Sequence, residues 1–87
     1  MYEIKVTRAA QRDLAALPKD VFKRVDRKIQ ALAENPHPQG TKKLEDNLFR
    51  IRAGDYRIIY QVEAARIVIV IVRVRHRREV YRRLRPG

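Results

Sequence analysis

Arg50, Arg52 and Arg57 bracket a Gly54-Asp55 dipeptide, and a second basic run, Arg73, Arg75, His76, Arg77 and Arg78, comes shortly before Tyr81. A guanidinium is planar, carries its charge at all accessible pH, and meets phosphate through two parallel N–H···O bonds. A group of them suits phosphate binding and stabilisation of charge that develops on phosphorus during a transfer reaction. Removing a proton is a different task. Arg stays protonated, so it is no ordinary general base. His76 has the intrinsic pKa range for that role, and Tyr81 serves if nearby arginines favour its phenolate. Each also has a plainer reading: His76 packs or hydrogen-bonds at a strand end, and Tyr81 packs a terminal element on the core or stacks on a base. Asp55 fits turn chemistry, and His37 sits in a Pro-rich surface loop. No carboxylate pair is available for metal-dependent nuclease chemistry, so neither a metal nor another cofactor is expected.

The composition points the same way. The chain has 87 residues and a formal charge of +11. Every Lys lies at or before Lys43, and every later cation is Arg. From Arg66 onward Glu79 is the sole acid. Such a charge suits a polyanion, most simply nucleic acid, although a generally basic protein would also carry it. The absence of Cys excludes a disulfide framework and thiolate zinc sites. The longest apolar run, Ile67 to Val72, is too short to cross a membrane. No signal-peptide segment follows Met1. A cytoplasmic protein with no membrane partner is expected, folded as one domain over residues 1–87.

These residues need elements to position them. Tyr2, Ile4 and Val6 alternate with Glu3, Lys5 and Thr7, which predicts a short strand with one buried face. Thr7 can cap a helix beginning at Arg8, with Ala10, Leu14 and Leu17 as its apolar stripe. Pro18 ends that helix or starts the next. Val21 or Phe22, Val25, Ile29 and Leu32 form a second stripe, which stops near Asn35-Pro36. Its charged face, with Lys19, Lys23, Arg24, Arg27 and Lys28, is either solvated or a nucleic-acid contact. His37 to Gly40 form a loop. Leu48 to Ala53, Tyr56 to Val62 and Ile67 to Val74 read as strands, with a turn at Glu63 to Arg66. The run Ile67 to Val72 is covered on both faces or central in the sheet. The expected fold is α+β: an N-terminal β-α-α unit, then an antiparallel β-meander, with the helical hairpin on one face of a small sheet.

The first hairpin can be placed in register. With Gly54 and Asp55 as the loop, Arg52 faces Arg57, Ile51 faces Ile58, Arg50 faces Ile59, and Phe49 faces Tyr60. Alternation then puts Phe49, Ile51, Ala53, Tyr56, Ile58, Tyr60 and Val62 on a core face. Arg50, Arg52, Arg57, Ile59 and Gln61 take the other. A slip of one residue would mix the two sets. Like charges directly opposite each other cost up to about 1 kcal/mol. A bound phosphate turns that repulsion into attraction; otherwise the arginines splay into water. Along the last strand, strict alternation groups Val72, Val74 and His76 on one face and Arg73 and Arg75 on the other.

These segments resemble toxins of the RelE/ParE superfamily from toxin–antitoxin pairs. The likeness spans nearly the whole chain: "TRAAQRDLAALP", "LAENP", "KKLEDNLFRIRAGDYRIIYQV" and "VRHRREVYRRL". Lys43 to Val62 is its most specific part, and the cationic hairpin aligns it with the RelE branch. The resemblance implies a single toxin domain that acts as a metal-independent endoribonuclease, cutting mRNA in the ribosomal A site. In that chemistry the 2′-hydroxyl attacks the adjacent phosphate and leaves a 2′,3′-cyclic phosphate. The family's cationic residues map to Arg50, Arg52, Arg57 and an arginine of the last motif, most naturally Arg77; its late tyrosine maps to Tyr81. The resulting expectation is a catalytic set of Arg57, Arg52, Arg77, His76 and Tyr81, with Arg50, Arg73, Arg75 and Arg78 contacting RNA. The chain departs from the family pattern in carrying Arg rather than Lys at 50 and 52, and Arg rather than Gly at 75. The implied partners are an acidic antitoxin, in a toxin–antitoxin hetero-oligomer, and the ribosome with its 16S RNA and A-site mRNA. Two other readings are a ParE-like toxin that inhibits DNA gyrase and an inactive homologue that only binds RNA or antitoxin.

Overall fold

A computed structural model describes residues 1–78. The chain runs β1 (Glu3–Val6), α1 (Arg8–Ala15), α2 (Lys19–Glu34), β2 (Lys42–Glu45), β3 (Leu48–Ala53), β4 (Tyr56–Glu63), a 3₁₀ turn (Ala64–Arg66) and β5 (Val68–His76). The five strands form one sheet in the order β1-β5-β4-β3-β2. β2 to β5 make an antiparallel meander, and β1 joins it in parallel with β5. The α+β architecture therefore agrees with the expectation, and the apolar strand β5 is an interior strand between β1 and β4, with β4 at the centre of the sheet.

Thr7 starts α1 as expected: its side-chain oxygen accepts the Ala10 N–H at 3.1 Å. Pro18 is the N-cap of α2, and Asn35, extended ahead of Pro36, ends it. Both helices lie on one face of the sheet. Val25, Ile29 and Leu32 of α2 pack there on Ile51, Ile58, Tyr60, Ile69 and Ile71. Of the two residues that could begin the α2 stripe, Val21 packs against the core and Phe22 is 40% exposed. Each buried Leu, Ile or Val contributes about 1.5–3 kcal/mol. Tyr60 is fully buried and donates its hydroxyl proton to the Pro36 carbonyl at 2.7 Å, tying the loop after α2 to the sheet.

The β3–β4 hairpin has the anticipated register, with Arg52 opposite Arg57 and Phe49 opposite Tyr60. Gly54 has φ +62° while Asp55 is not left-handed, the sign pattern of a type II′ turn. β2 was not anticipated. All four of its residues are exposed, so no alternation marks it. Its charges and the register shift near Leu44 are the devices that keep an edge strand from pairing with another chain.

β5 differs from the expected strand at both ends of its apolar run. Ile67 is not in the strand. It caps the 3₁₀ turn in the left-handed region, φ +56° and ψ +49°, and is 54% exposed. Strict alternation also fails: Tyr60 pairs with Ile71 but Ile59 pairs with Arg73. Val72 is an extra residue opposite no partner, a β-bulge. Ile69, Ile71 and Val74 consequently all enter the core, and Val72 does not share a regular face with Val74 and His76.

A β-branched residue in the left-handed region is strained by about 1–2 kcal/mol. Ile67→Gly should therefore raise unfolding stability by about 1 kcal/mol, measured as a higher denaturant midpoint at unchanged slope. Lower stability in that variant would show that the exposed side chain contributes more than the strain costs.

Candidate phosphate-binding site

The sheet face away from the helices carries the cations. Register places Arg52 opposite Arg57, and Arg57 opposite Arg75, as one row across three strands. The neighbouring row runs Lys42, Arg50, Ile59, Arg73. The acids Glu3, Glu45 and Glu63 lie at the other end of this face. Its charge is thus polarised along the strands. Arg52 is exposed, and Arg50, Arg57 and Arg75 are half-buried. Adjacent strands lie about 4.8 Å apart, so the row spans roughly 10 Å, a scale that suits a phosphodiester rather than a diffuse counterion layer.

The site residues named from sequence do not all converge. Arg50, Arg52, Arg57 and Arg75 share the outer face. Arg73 is at its margin, tied to α1: its Nε donates to Asp13 Oδ2 at 2.9 Å and its Nη2 to Oδ1 at 3.2 Å. His76 is on the helix side of the sheet, opposite Tyr56, with the two rings edge-on at 5.2 Å. Its Nδ1 accepts the Arg78 N–H at 3.3 Å. That lone pair is engaged on the helix side of the sheet, away from the arginine row. His76 and Tyr56 instead line a cleft of about 210 Å³ with Asp13 and Leu17. Arg77 and Arg78 are exposed just past β5, and the Arg77 N–H donates to the Asp55 carbonyl at 2.9 Å, beside the hairpin tip. Tyr81 lies outside the described residues.

Two further residues matter here, one named from the sequence only as part of the charged face of α2 and one not singled out at all. Arg24 reaches from α2 to the hairpin tip, where a Cβ on Gly54 would come to 3.0 Å from its Nη1. With Arg27 and Lys28 it lines a shallow groove of about 220 Å³, so cations continue from the tip along α2. The other is Asp13. Its Oδ2 also accepts the Val74 N–H at 2.9 Å, and its side chain is 14% exposed. The signal was present: Asp13 falls three residues after Ala10, on the inward stripe of α1, where a carboxylate needs a buried partner. Burial raises its pKa, but the Arg73 bonds, the Val74 N–H and the charges of Arg73 and Arg75 outweigh that, and the net pKa falls below the usual 3.8.

Comparison with known proteins gives consistent matches. The family described as the ParE toxin of type II toxin–antitoxin system, parDE, matches residues 4–81. The toxin RelG of Mycobacterium tuberculosis is 35% identical over 86 residues, covering 94% of this chain and 98% of the relative. The archaeal RelE–RelB complex from Pyrococcus horikoshii superposes with a TM-score of 0.81 at 32% identity, over 87% of this chain and 94% of that one. The isolated RelE toxin of E. coli shares the fold, with a TM-score of 0.78 at 19% identity, over 98% of this chain and all of that one.

The Asp13 interactions carry a pH signature. A carboxyl whose pKa is depressed by folding stabilises the fold above its unfolded pKa, and that contribution disappears as pH falls through the folded value. The stability gap between the wild type and Asp13→Asn should be constant at neutral pH and close below about pH 4. Chemical denaturation at pH 7 and at pH 3 measures it; an equal gap at both values would mean that the charge on Asp13 contributes nothing.

Proposed function

Because the chain belongs to the RelE/ParE superfamily and is a RelE-family toxin of a type II toxin–antitoxin system, we propose that it cleaves mRNA on the ribosome with the arginine row as its phosphate site. The observation that carries this reading is the row itself, Arg52, Arg57 and Arg75 in register on the open face of the sheet. The RNA 2′-oxygen attacks the adjacent phosphorus and gives up its proton. The P–O5′ bond breaks, the 5′-oxygen takes a proton, and a 2′,3′-cyclic phosphate remains. Arg52 and Arg57 bind the non-bridging oxygens and stabilise the charge that builds on them. Arg75, across the strand from Arg57, belongs to the same clamp. Arg50 orients the flanking backbone, and Arg77 at the hairpin tip stabilises the leaving oxygen. With His76 turned to the other side of the sheet, Tyr81 is the side chain of the last motif that takes the 2′-hydroxyl proton.

A free toxin of this kind requires an inhibitor. The solved relatives include complexes with the antitoxin RelB. For this chain the fitting partner is an antitoxin with an acidic segment that covers the arginine row, with association weakened by salt. Action on translating ribosomes places the protein in the cytoplasm. The name of the matching family favours a second reading, gyrase inhibition as in ParE toxins, which needs no phosphate chemistry.

Ribosomes programmed with a defined A-site codon separate the two. Cleavage at that codon, with a 2′,3′-cyclic end on the upstream fragment, is the expected result. Arg57→Ala should slow it by about a hundredfold or more without loss of stability, since the change relieves repulsion from Arg52 and Arg75. An intact mRNA together with blocked gyrase supercoiling would replace this reading with the second.

A further inference from the structure

Strand β5 sets a problem that its own sequence does not solve. Its core residues Ile69 and Ile71 are two apart, and continued alternation would bring Arg73 and Arg75 into the core next. Taking two guanidinium groups into the middle of an apolar core is prohibitive. The extra residue, Val72, changes the phase, so that Val74 enters the core and Arg75 meets Arg57 on the open face. A bulge at this point leaves backbone groups to be satisfied, and β1 has already ended at Val6.

α1 supplies the missing partners. The Thr7 N–H donates to the Ile71 carbonyl at 3.0 Å and the Thr7 hydroxyl donates to the Val72 carbonyl at 2.8 Å. Two successive carbonyls directed at one residue mark the bulge. Just beyond it, Asp13 accepts the Val74 N–H and grips the Arg73 guanidinium through both carboxylate oxygens. The two residues that follow the bulge are thus held by one side chain.

We propose that Asp13 is a positioning residue for the phosphate site: by holding Arg73 and Val74 it fixes the β5 bulge and thereby the pairing of Arg75 with Arg57. The inference rests on the phosphate-binding reading for its consequence, though its structural half stands apart from RNA. Asp13 touches no substrate. Without its carboxylate, the Val74 N–H and Arg73 lose a shared anchor, and the end of β5 can slip or detach from β4. Arg75 then leaves the row.

The experiment uses the full chain with Asp13→Ala, Asp13→Asn, Arg57→Ala, Arg75→Ala and the Asp13→Ala/Arg75→Ala double variant. Cross-strand amide contacts between Arg57 and Arg75, read by NMR in folded protein, report the pairing. The affinity of a short single-stranded RNA at several salt concentrations reports the number of phosphates engaged. Asp13→Ala should lose the Arg57–Arg75 contacts and reduce the salt slope by about 0.7, one phosphate's worth. Adding it to Arg75→Ala should change the slope no further. Asp13→Asn keeps an acceptor for the Val74 N–H and should restore the contacts in part; it also serves if Asp13→Ala does not fold. Retained contacts and an unchanged slope in Asp13→Ala, whatever the loss of stability, would overturn the proposal, as would, where Asp13→Ala does not fold, contacts and slope in Asp13→Asn fully equal to those of the wild type. If Arg57→Ala and Arg75→Ala both bind RNA as the wild type does, the phosphate reading falls, and the NMR contacts alone decide the role of Asp13.

Discussion

The pairing of β5 with β4 is the constraint on which the rest of the molecule depends. β5 is the interior strand that joins β1 to the meander, and its Ile69, Ile71 and Val74 lie under the helices. The same strand carries Arg75 on the opposite face. One strand thus supplies the middle of the core and one edge of the cationic site, and both depend on where its alternation changes phase. The bulge at Val72 makes that change. Thr7 and Asp13 hold it from α1, so the first helix is as much a part of the site's foundation as the strands that display it.

The open face shows what that foundation supports. Like charges placed side by side on a sheet destabilise it, and Arg52, Arg57 and Arg75 do so across three strands. Among the described residues, the acids Glu3, Glu45 and Glu63 of the same face lie at its far end, and Glu63 pairs with Arg66 at 3.0 Å. The fold therefore gathers positive charge at one end of the sheet, beside the hairpin tip, where Arg24 and Arg77 extend it. A polyanion gains from this concentration what the folded chain alone loses. That balance is the physical basis for reading a RelE-family toxin with this surface as an RNA-directed one.

Much of this was legible in the chain. The Gly54-Asp55 turn and the clean division of apolar from cationic residues specify the β3–β4 register, because a slip by one residue would bury arginine. Thr7, Pro18 and Asn35-Pro36 mark the helix limits through local backbone chemistry. β2 was not legible: an exposed edge strand has no buried face and hence no period. The phase of β5 was not legible either. A run that is apolar at every position hides where an extra residue falls, although alternation after it correctly set Val74 and His76 apart from Arg75.

The sequence by itself determined the α+β order, the hairpin and its facing arginines, since turn chemistry and alternation act between near neighbours. Only the tertiary structure decided that β1 pairs in parallel with β5, that Val72 is the extra residue, that Asp13 grips the strand beyond it, and that Arg75 meets Arg57 in the arginine row. Those outcomes join residues some sixty positions apart. They depend on which backbone groups are left without partners after the sheet has assembled, and no local pattern records that.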